Sequence, residues 1–106
     1  MNYTTLKING NPVGLKFGMA SSRIIAEKAE KIGDVENELG VAIVLFAGYM
    51  NNILVKEVIS EYTLEDFVDF VEKSLENGDM SAINEVIEFW QKTKPELIDK
   101  KKVIQP

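Results

Sequence analysis

A run of apolar residues in the middle of the chain limits most strongly how this protein can fold. Apolar residues recur there at helical spacing, at Leu39, Ala42, Ile43, Phe46 and Met50. Between 41 and 47 almost every position is apolar, and a helix that is apolar nearly all round is usually central, with neighbours on every side. The run is well short of the ~20 residues that a membrane-spanning helix needs. We therefore predict a core helix, and the glycines at 40 and 48 predict close backbone packing or a bend along it.

Near the start of the chain the apolar period is two instead of nearly four. Leu6 and Ile8 alternate with polar residues before an Asn9-Gly10 pair, and the alternation resumes after it. Asn-Gly supplies the positive φ angles that a tight turn requires. This pattern predicts a β-hairpin over 3–17, which must pack on helices because an isolated hairpin is only marginally stable.

Helical periodicity divides the rest of the chain into four predicted helices. They cover about 19–32, 35–58, 64–77 and 80–93. The spacing that predicts the first helix is that of Met19, Arg23, Ala26, Ala29 and Ile32. A break in the second helix at Asn51-Asn52 is left open.

Polar residues mark where these helices are expected to begin. Ser21 or Ser22 suits the first turn of the first helix, and Asp34 suits the N-cap of the second. Thr63 to Asp66 resembles a capping box, although Asp66 is shorter than the usual Glu or Gln. A glycine precedes an aspartate at 33–34 and again at 78–79, which predicts that one helix ends and the next begins in both places.

These elements together predict an α+β fold that is predominantly α, with an N-terminal β-hairpin packed on a bundle of about four helices. The predicted single globular domain covers 1–94. Pro95 is expected to interrupt the last helix. The remaining 95–106 is then a Lys-rich tail, a short helix or a frayed end without a core of its own.

The residue chemistry of most enzymes is missing. The sequence has no histidine and no cysteine, so the commonest general base, the commonest metal ligand and the thiol nucleophile are all lacking. Carboxylate-only chemistry remains conceivable on Asp66, Asp69 and Glu72, yet such spacing is typical of a solvated helix face. We predict a protein that is not an enzyme and assign no catalytic, cofactor-binding or metal residue.

Charge and composition also restrict the partners and the compartment. The chain has 17 acidic and 12 basic residues, a formal net charge of -5 that opposes binding to a phosphate backbone. We expect no nucleic-acid and no membrane partner. The first residues show no secretory signal and cysteine is absent, so a cytoplasmic location is predicted.

Aromatic residues and a methionine outside or at the ends of the apolar stripes are the candidates for protein binding. Such residues are either additional core or the centre of a groove for a partner, where aromatic residues and methionine concentrate. The candidates are Tyr49, Met50, Phe70, Phe89 and Trp90.

Several segments resemble the tail assembly chaperones of long-tailed bacteriophages, over nearly the whole chain. They are ING at 8–10, LKFGM at 15–19, LFAGY at 45–49, TLED at 63–66 and the Lys-rich end. The resemblance implies a protein of phage or prophage origin, acting in the bacterial cytoplasm. It implies binding to the tape measure protein, which stays soluble until the tail tube assembles around it.

The resemblance leaves other partners and roles open. Contact with the tail tube protein and formation of a homo-oligomer are both compatible with it. The alternative is a structural or adaptor component of the virion tail or connector, and a host-directed regulator or a carboxylate enzyme is less favoured.

Overall fold

The computed structural model describes residues 2–32 and 37–104, with side chains described for 2–28 and 37–93. Two strands come first, β1 (Tyr3–Ile8) and β2 (Asn11–Lys16). Four helices follow: α1 (Met19–Ile32), α2 (Glu38–Lys56), α3 (Leu64–Glu76) and α4 (Ser81–Ile104). The predicted α+β, predominantly α fold with an N-terminal hairpin is therefore confirmed.

The hairpin forms at the predicted turn. β1 and β2 are antiparallel, with Ile8 opposite Asn11 and Leu6 opposite Val13. The two residues between the strands, Asn9 and Gly10, have φ angles of 52° and 83°. Two consecutive positive φ angles are what a two-residue hairpin turn needs to match the strand twist. The alternation buries one face of the hairpin against the helices.

Helix α2 is central, as the apolar run predicts. It packs against α1, α3, α4 and β2, and ten of its residues are buried. By length and composition alone it is apolar enough to cross a membrane, with a mean hydropathy of 1.6. In the fold, 56% of its most apolar stretch is buried inside the protein. Its apolar surface is thus used largely for packing against the other elements.

The start of α2 differs from the prediction. The helix begins at Glu38, and the N-cap is Asn37, whose Oδ1 accepts a hydrogen bond of 2.6 Å from the Gly40 amide. A prediction of the cap at Asp34 is therefore wrong for this helix, because an asparagine closer to the apolar run satisfies the free amide. Gly33 and Asp34 themselves lie outside the described residues.

The hairpin approaches α2 closely at Gly48. A Cβ atom placed on Gly48 would stand 2.6 Å from Cε1 of Phe17 and 3.3 Å from Cβ of Leu15. Only a residue without a side chain allows that approach. This confirms close backbone packing as the reason for a glycine inside the apolar helix.

Helix α2 has no break at Asn51-Asn52, a point that the sequence left open. The helix passes through both residues to Lys56, and both asparagine side chains are buried. Asn51 Oδ1 accepts hydrogen bonds from the amides of Gly18 and Ser21, each 3.0 Å long. Asn51 thus caps α1 from another helix, while the Ser21 hydroxyl donates to the Gly18 carbonyl.

Helix α1 covers the predicted span, and three of the residues whose spacing predicts it lie on its exposed side. Met19, Arg23 and Ala26 are exposed, and Met19 is 72% exposed. Ser21 is buried and Ile25 packs against the core instead. The hydrogen bond from the Ser21 amide to Asn51 holds that side of α1 against α2. A contact between residues so far apart in sequence cannot be predicted from a local pattern.

Helix α3 begins and ends where its capping residues predict. The Asp66 amide donates to Thr63 Oγ1, and the Thr63 amide donates to Asp66 Oδ2 at 2.8 Å, so the capping box is complete. At the other end Gly78 has a φ of 70°. A glycine in the left-handed region ends a helix at no steric cost. α4 then begins at Ser81.

The predicted end of the fourth helix at about 93 is wrong. α4 continues through Pro95 to Ile104, so the predicted tail at 95–106 is helical as far as 104, and the last two residues lie outside the described part. Proline removes one backbone hydrogen bond and strains the turn before it, at a cost of about 3 kcal/mol. The residues after it include good helix formers such as Glu96 and Leu97, which favour continuing the helix beyond that point.

Candidate protein-binding site

Tyr49 lies inside the fold and holds the connection between α2 and α3. Only 5% of it is exposed, and its ring packs edge-on against Tyr62 with the ring centres 5.5 Å apart. Its hydroxyl oxygen accepts hydrogen bonds from the Glu61 amide at 2.6 Å and the Tyr62 amide at 3.2 Å. Tyr49 therefore fixes the loop between the helices and offers almost no surface to a partner.

Trp90 likewise belongs to the core. It is 5% exposed and packs in the cluster that joins the hairpin to the helices. The Thr93 hydroxyl, also buried, donates to the Trp90 carbonyl at 2.8 Å. Of the five candidate residues, Tyr49 and Trp90 thus lie in the core.

The other three candidates are half-buried and lie in different places. Met50 packs against the core from α2, with its sulfur 4.0 Å from the Ser60 hydroxyl. Phe70 lines a small cavity beside the hairpin turn, whereas Phe89 lines another between β1 and α4, its ring centre 6.3 Å from that of Phe17. The fold gives Phe70 and Phe89 separate cavities rather than one groove.

A surface that the sequence analysis did not single out lies at the end of α2. Four apolar side chains there are strongly exposed: Leu54 at 60%, Val55 at 59%, Val58 at 53% and Ile59 at 88%. The sequence prediction extended the buried helix to 58. The helix in fact ends at Lys56, so Leu54 and Val55 are exposed on its last turn and Val58 and Ile59 are exposed in the connection that follows.

The backbone at Glu57 sets the direction of this segment. Glu57 adopts the left-handed conformation, with φ 54° and ψ 42°, which costs a residue with a side chain roughly 1 kcal/mol. Its amide donates to the Ile53 carbonyl, and so does the amide of Val58 at 3.4 Å. The helix therefore closes at this point, and Val58 and Ile59 follow in an irregular connection.

Val58 and Ile59 line a groove, which we name the α2-end groove, together with Tyr49, Ile53, Glu57 and Glu61. It is a shallow depression of about 530 Å³, compared with about 230 Å³ for the cavity beside Phe70. Glu57 and Glu61 are both exposed, so carboxylates border the apolar floor. The neighbouring cation, Lys56, has its ammonium 5.5 Å from the ring centre of Tyr3.

The acidic face of α3 is a solvated surface. Asp66, Asp69 and Glu72 are all exposed, and Asp66 is engaged in the capping box. Within the described residues no group of three or more Asp or Glu side chains is placed to hold a metal ion. These carboxylates add negative charge to the exterior and do not converge on one point.

Comparison with known proteins gives no family. No family model, no curated protein and no solved structure matches this chain. The resemblance to tail assembly chaperones therefore rests on short segments alone.

Proposed function

We propose that this chain is a phage or prophage tail assembly chaperone, which binds the tape measure protein and keeps it soluble until the tail tube assembles around it. The observation that carries the proposal is the exposed apolar surface at the end of α2 on a chain with a net charge of -5. A chaperone needs an apolar surface to cover apolar parts of its client. It also needs a charged exterior to keep the complex in solution.

The form of the surface also supports binding rather than chemistry. Its lining combines three aliphatic side chains with Tyr49, and its charged groups are the carboxylates of Glu57 and Glu61. Neither histidine nor cysteine exists anywhere in the sequence to act as a base or nucleophile there. Such a surface lowers the free energy of an associated apolar segment. It lacks the side chains that most often act as base or nucleophile in breaking a bond.

Co-expression tests this proposal. The chain is expressed together with the tape measure protein of the same phage or prophage, and the client is measured in the soluble and pelleted fractions after lysis. We expect the client to move to the soluble fraction and to co-purify with this chain. A client that stays in the pellet at equal expression would refute the proposal.

Mass spectrometry of finished particles separates a chaperone from the alternative, a structural or adaptor component of the tail or connector. A chaperone is released when the tube has assembled, so its peptides are expected in infected cells and not in purified virions. Recovery of this chain from purified virions at a fixed ratio to the tube protein would favour the structural role.

A further inference from the structure

We propose that the α2-end groove binds one apolar face of a helix whose flanking positions carry Lys or Arg. This inference rests on the proposed function and names the surface and the kind of client segment that it takes. Ile59 is 88% exposed and lines the groove together with Val58 and Ile53. Covering these side chains removes apolar area from water, which favours association.

The charge around the groove selects the flanks of the occupant. Glu57 and Glu61 line it, and both side chains are exposed. The nearest cation along the chain, Lys56, has its ammonium over the Tyr3 ring. A partner with Lys or Arg beside its apolar face therefore meets complementary charge, whereas a second copy of this acidic chain brings the same two carboxylates into opposition.

Four of the six backbone amides from 57 to 62 already donate hydrogen bonds, which leaves few of them to pair with an extended strand. A bound strand must pair its own amides and carbonyls with free groups of the receptor. Here the amides of Glu61 and Tyr62 already donate to Tyr49 Oη, and the amide of Val58 donates to the Ile53 carbonyl. A helix satisfies its backbone internally and can dock through side chains alone.

The groove is formed before anything binds. The hydroxyl of buried Tyr49 holds the far side of the connection through two hydrogen bonds, and the Thr63–Asp66 capping box fixes the start of α3 just beyond it. A surface that is already ordered loses less conformational entropy on association.

Peptide titration tests the inference on the full chain. The probes are two synthetic helix-forming peptides with apolar residues at i, i+3, i+4 and i+7, one with Lys and one with Glu at the flanking positions. We expect the Lys peptide to bind about tenfold more tightly than the Glu peptide. In the Glu57→Gln, Glu61→Gln double variant the preference should fall below about threefold. Equal affinity of the two peptides for the wild-type chain would overturn the assignment.

A matched pair of variants tests the apolar floor. Val58→Ser with Ile59→Ser removes apolar side chains from the groove, and Met19→Ser removes a strongly exposed one from α1 that does not line it. Circular dichroism checks that both remain folded. We expect the groove variant to bind the Lys peptide at least about tenfold more weakly, with the Met19 variant unchanged. Equal binding by both variants contradicts the inference.

Self-association is the competing use of this surface. Sedimentation of the wild-type chain should give a monomer, or an oligomer that the Val58→Ser, Ile59→Ser variant leaves intact. An oligomer that dissociates in this variant and not in Met19→Ser would assign the groove to a second copy and overturn the inference.

Co-expression with the tape measure protein separates failure of the inference from failure of the proposed function. If wild type and Met19→Ser solubilise the client and the groove variant does not, both stand. If all three solubilise it, the chaperone proposal stands and the groove assignment is wrong. If none does, the chaperone proposal fails, and the peptide titration still decides what the groove binds.

Discussion

The side-chain oxygen of Asn51 on α2 accepts a hydrogen bond of 3.0 Å from the buried backbone amide of Ser21 on α1. The same oxygen accepts from the amide of Gly18, so one buried asparagine satisfies two of the free amides at the start of α1. This contact joins two residues that are 30 positions apart. It orients α1 against the central helix and couples the hairpin's exit to the core.

Replacement of Asn51 by alanine should destabilise the protein by about 2 to 3 kcal/mol, because two amides lose their acceptor and one of them is buried. The measurement is the free energy of unfolding in urea. Asn84→Ala is the matched control, since Asn84 is exposed on α4 and its loss should change stability by less than about 0.5 kcal/mol. Equal effects of the two changes would show that the cap contributes nothing.

Gly48→Ala should also destabilise the protein, although alanine favours a helix by about 1 kcal/mol over glycine. The added methyl group would stand 2.6 Å from the Phe17 ring, and overpacking of that kind costs about 1 to 3 kcal/mol. Thermal unfolding of Gly48→Ala, of Phe17→Leu and of the double variant measures the energetic cost of this contact. In the Phe17→Leu background we expect the alanine to be neutral or stabilising; strictly additive effects would contradict the contact.

Tyr49→Phe removes the acceptor that holds the connection between α2 and α3. The Glu61 and Tyr62 amides should then exchange with deuterium faster, and the free energy of unfolding should fall by about 1 to 2 kcal/mol. Tyr62→Phe is the control, because its own hydroxyl is not part of this pair of bonds. Unchanged exchange at both amides in Tyr49→Phe would show that the hydroxyl does not hold the loop.

Thr63→Ala opens the capping box of α3 and should reduce stability by about 1 kcal/mol. Thr63→Ser retains an oxygen in the same place and should recover most of that loss. Urea unfolding of the three proteins makes the comparison. If serine is as damaging as alanine, the loss comes from the methyl group of threonine and not from the cap.

Short-range chemistry allowed much of the fold to be predicted from sequence. The Asn9-Gly10 turn, the capping box at Thr63 and the glycine at 78 act within a few residues of their own position. The neighbouring sequence is therefore enough to predict their effect. Even so, Pro95 shows the limit of a local rule. This proline destabilises the helix at one turn only, and the helix-forming residues after it favour continuing α4.

The candidate binding residues were less predictable, because exposure depends on where neighbouring elements end. Tyr49 and Trp90 are residue types that are typical of a partner site, yet both are buried, whereas Ile59, just beyond the predicted helix end at 58, is almost fully exposed. A pattern of apolar residues does not record which of them will find a neighbour. α2 ends at Lys56, and Val58 and Ile59 in the connection after it remain exposed.

By itself, the sequence determined the element types, the central place of the apolar helix and the absence of histidine and cysteine chemistry, since periodicity, turn residues and composition are local properties. Only the tertiary structure decided which face of α1 is buried, why Gly48 is a glycine and where apolar surface remains open. Those features depend on contacts between distant residues, such as Asn51 with Ser21 and Gly48 with Phe17, and no local pattern contains them.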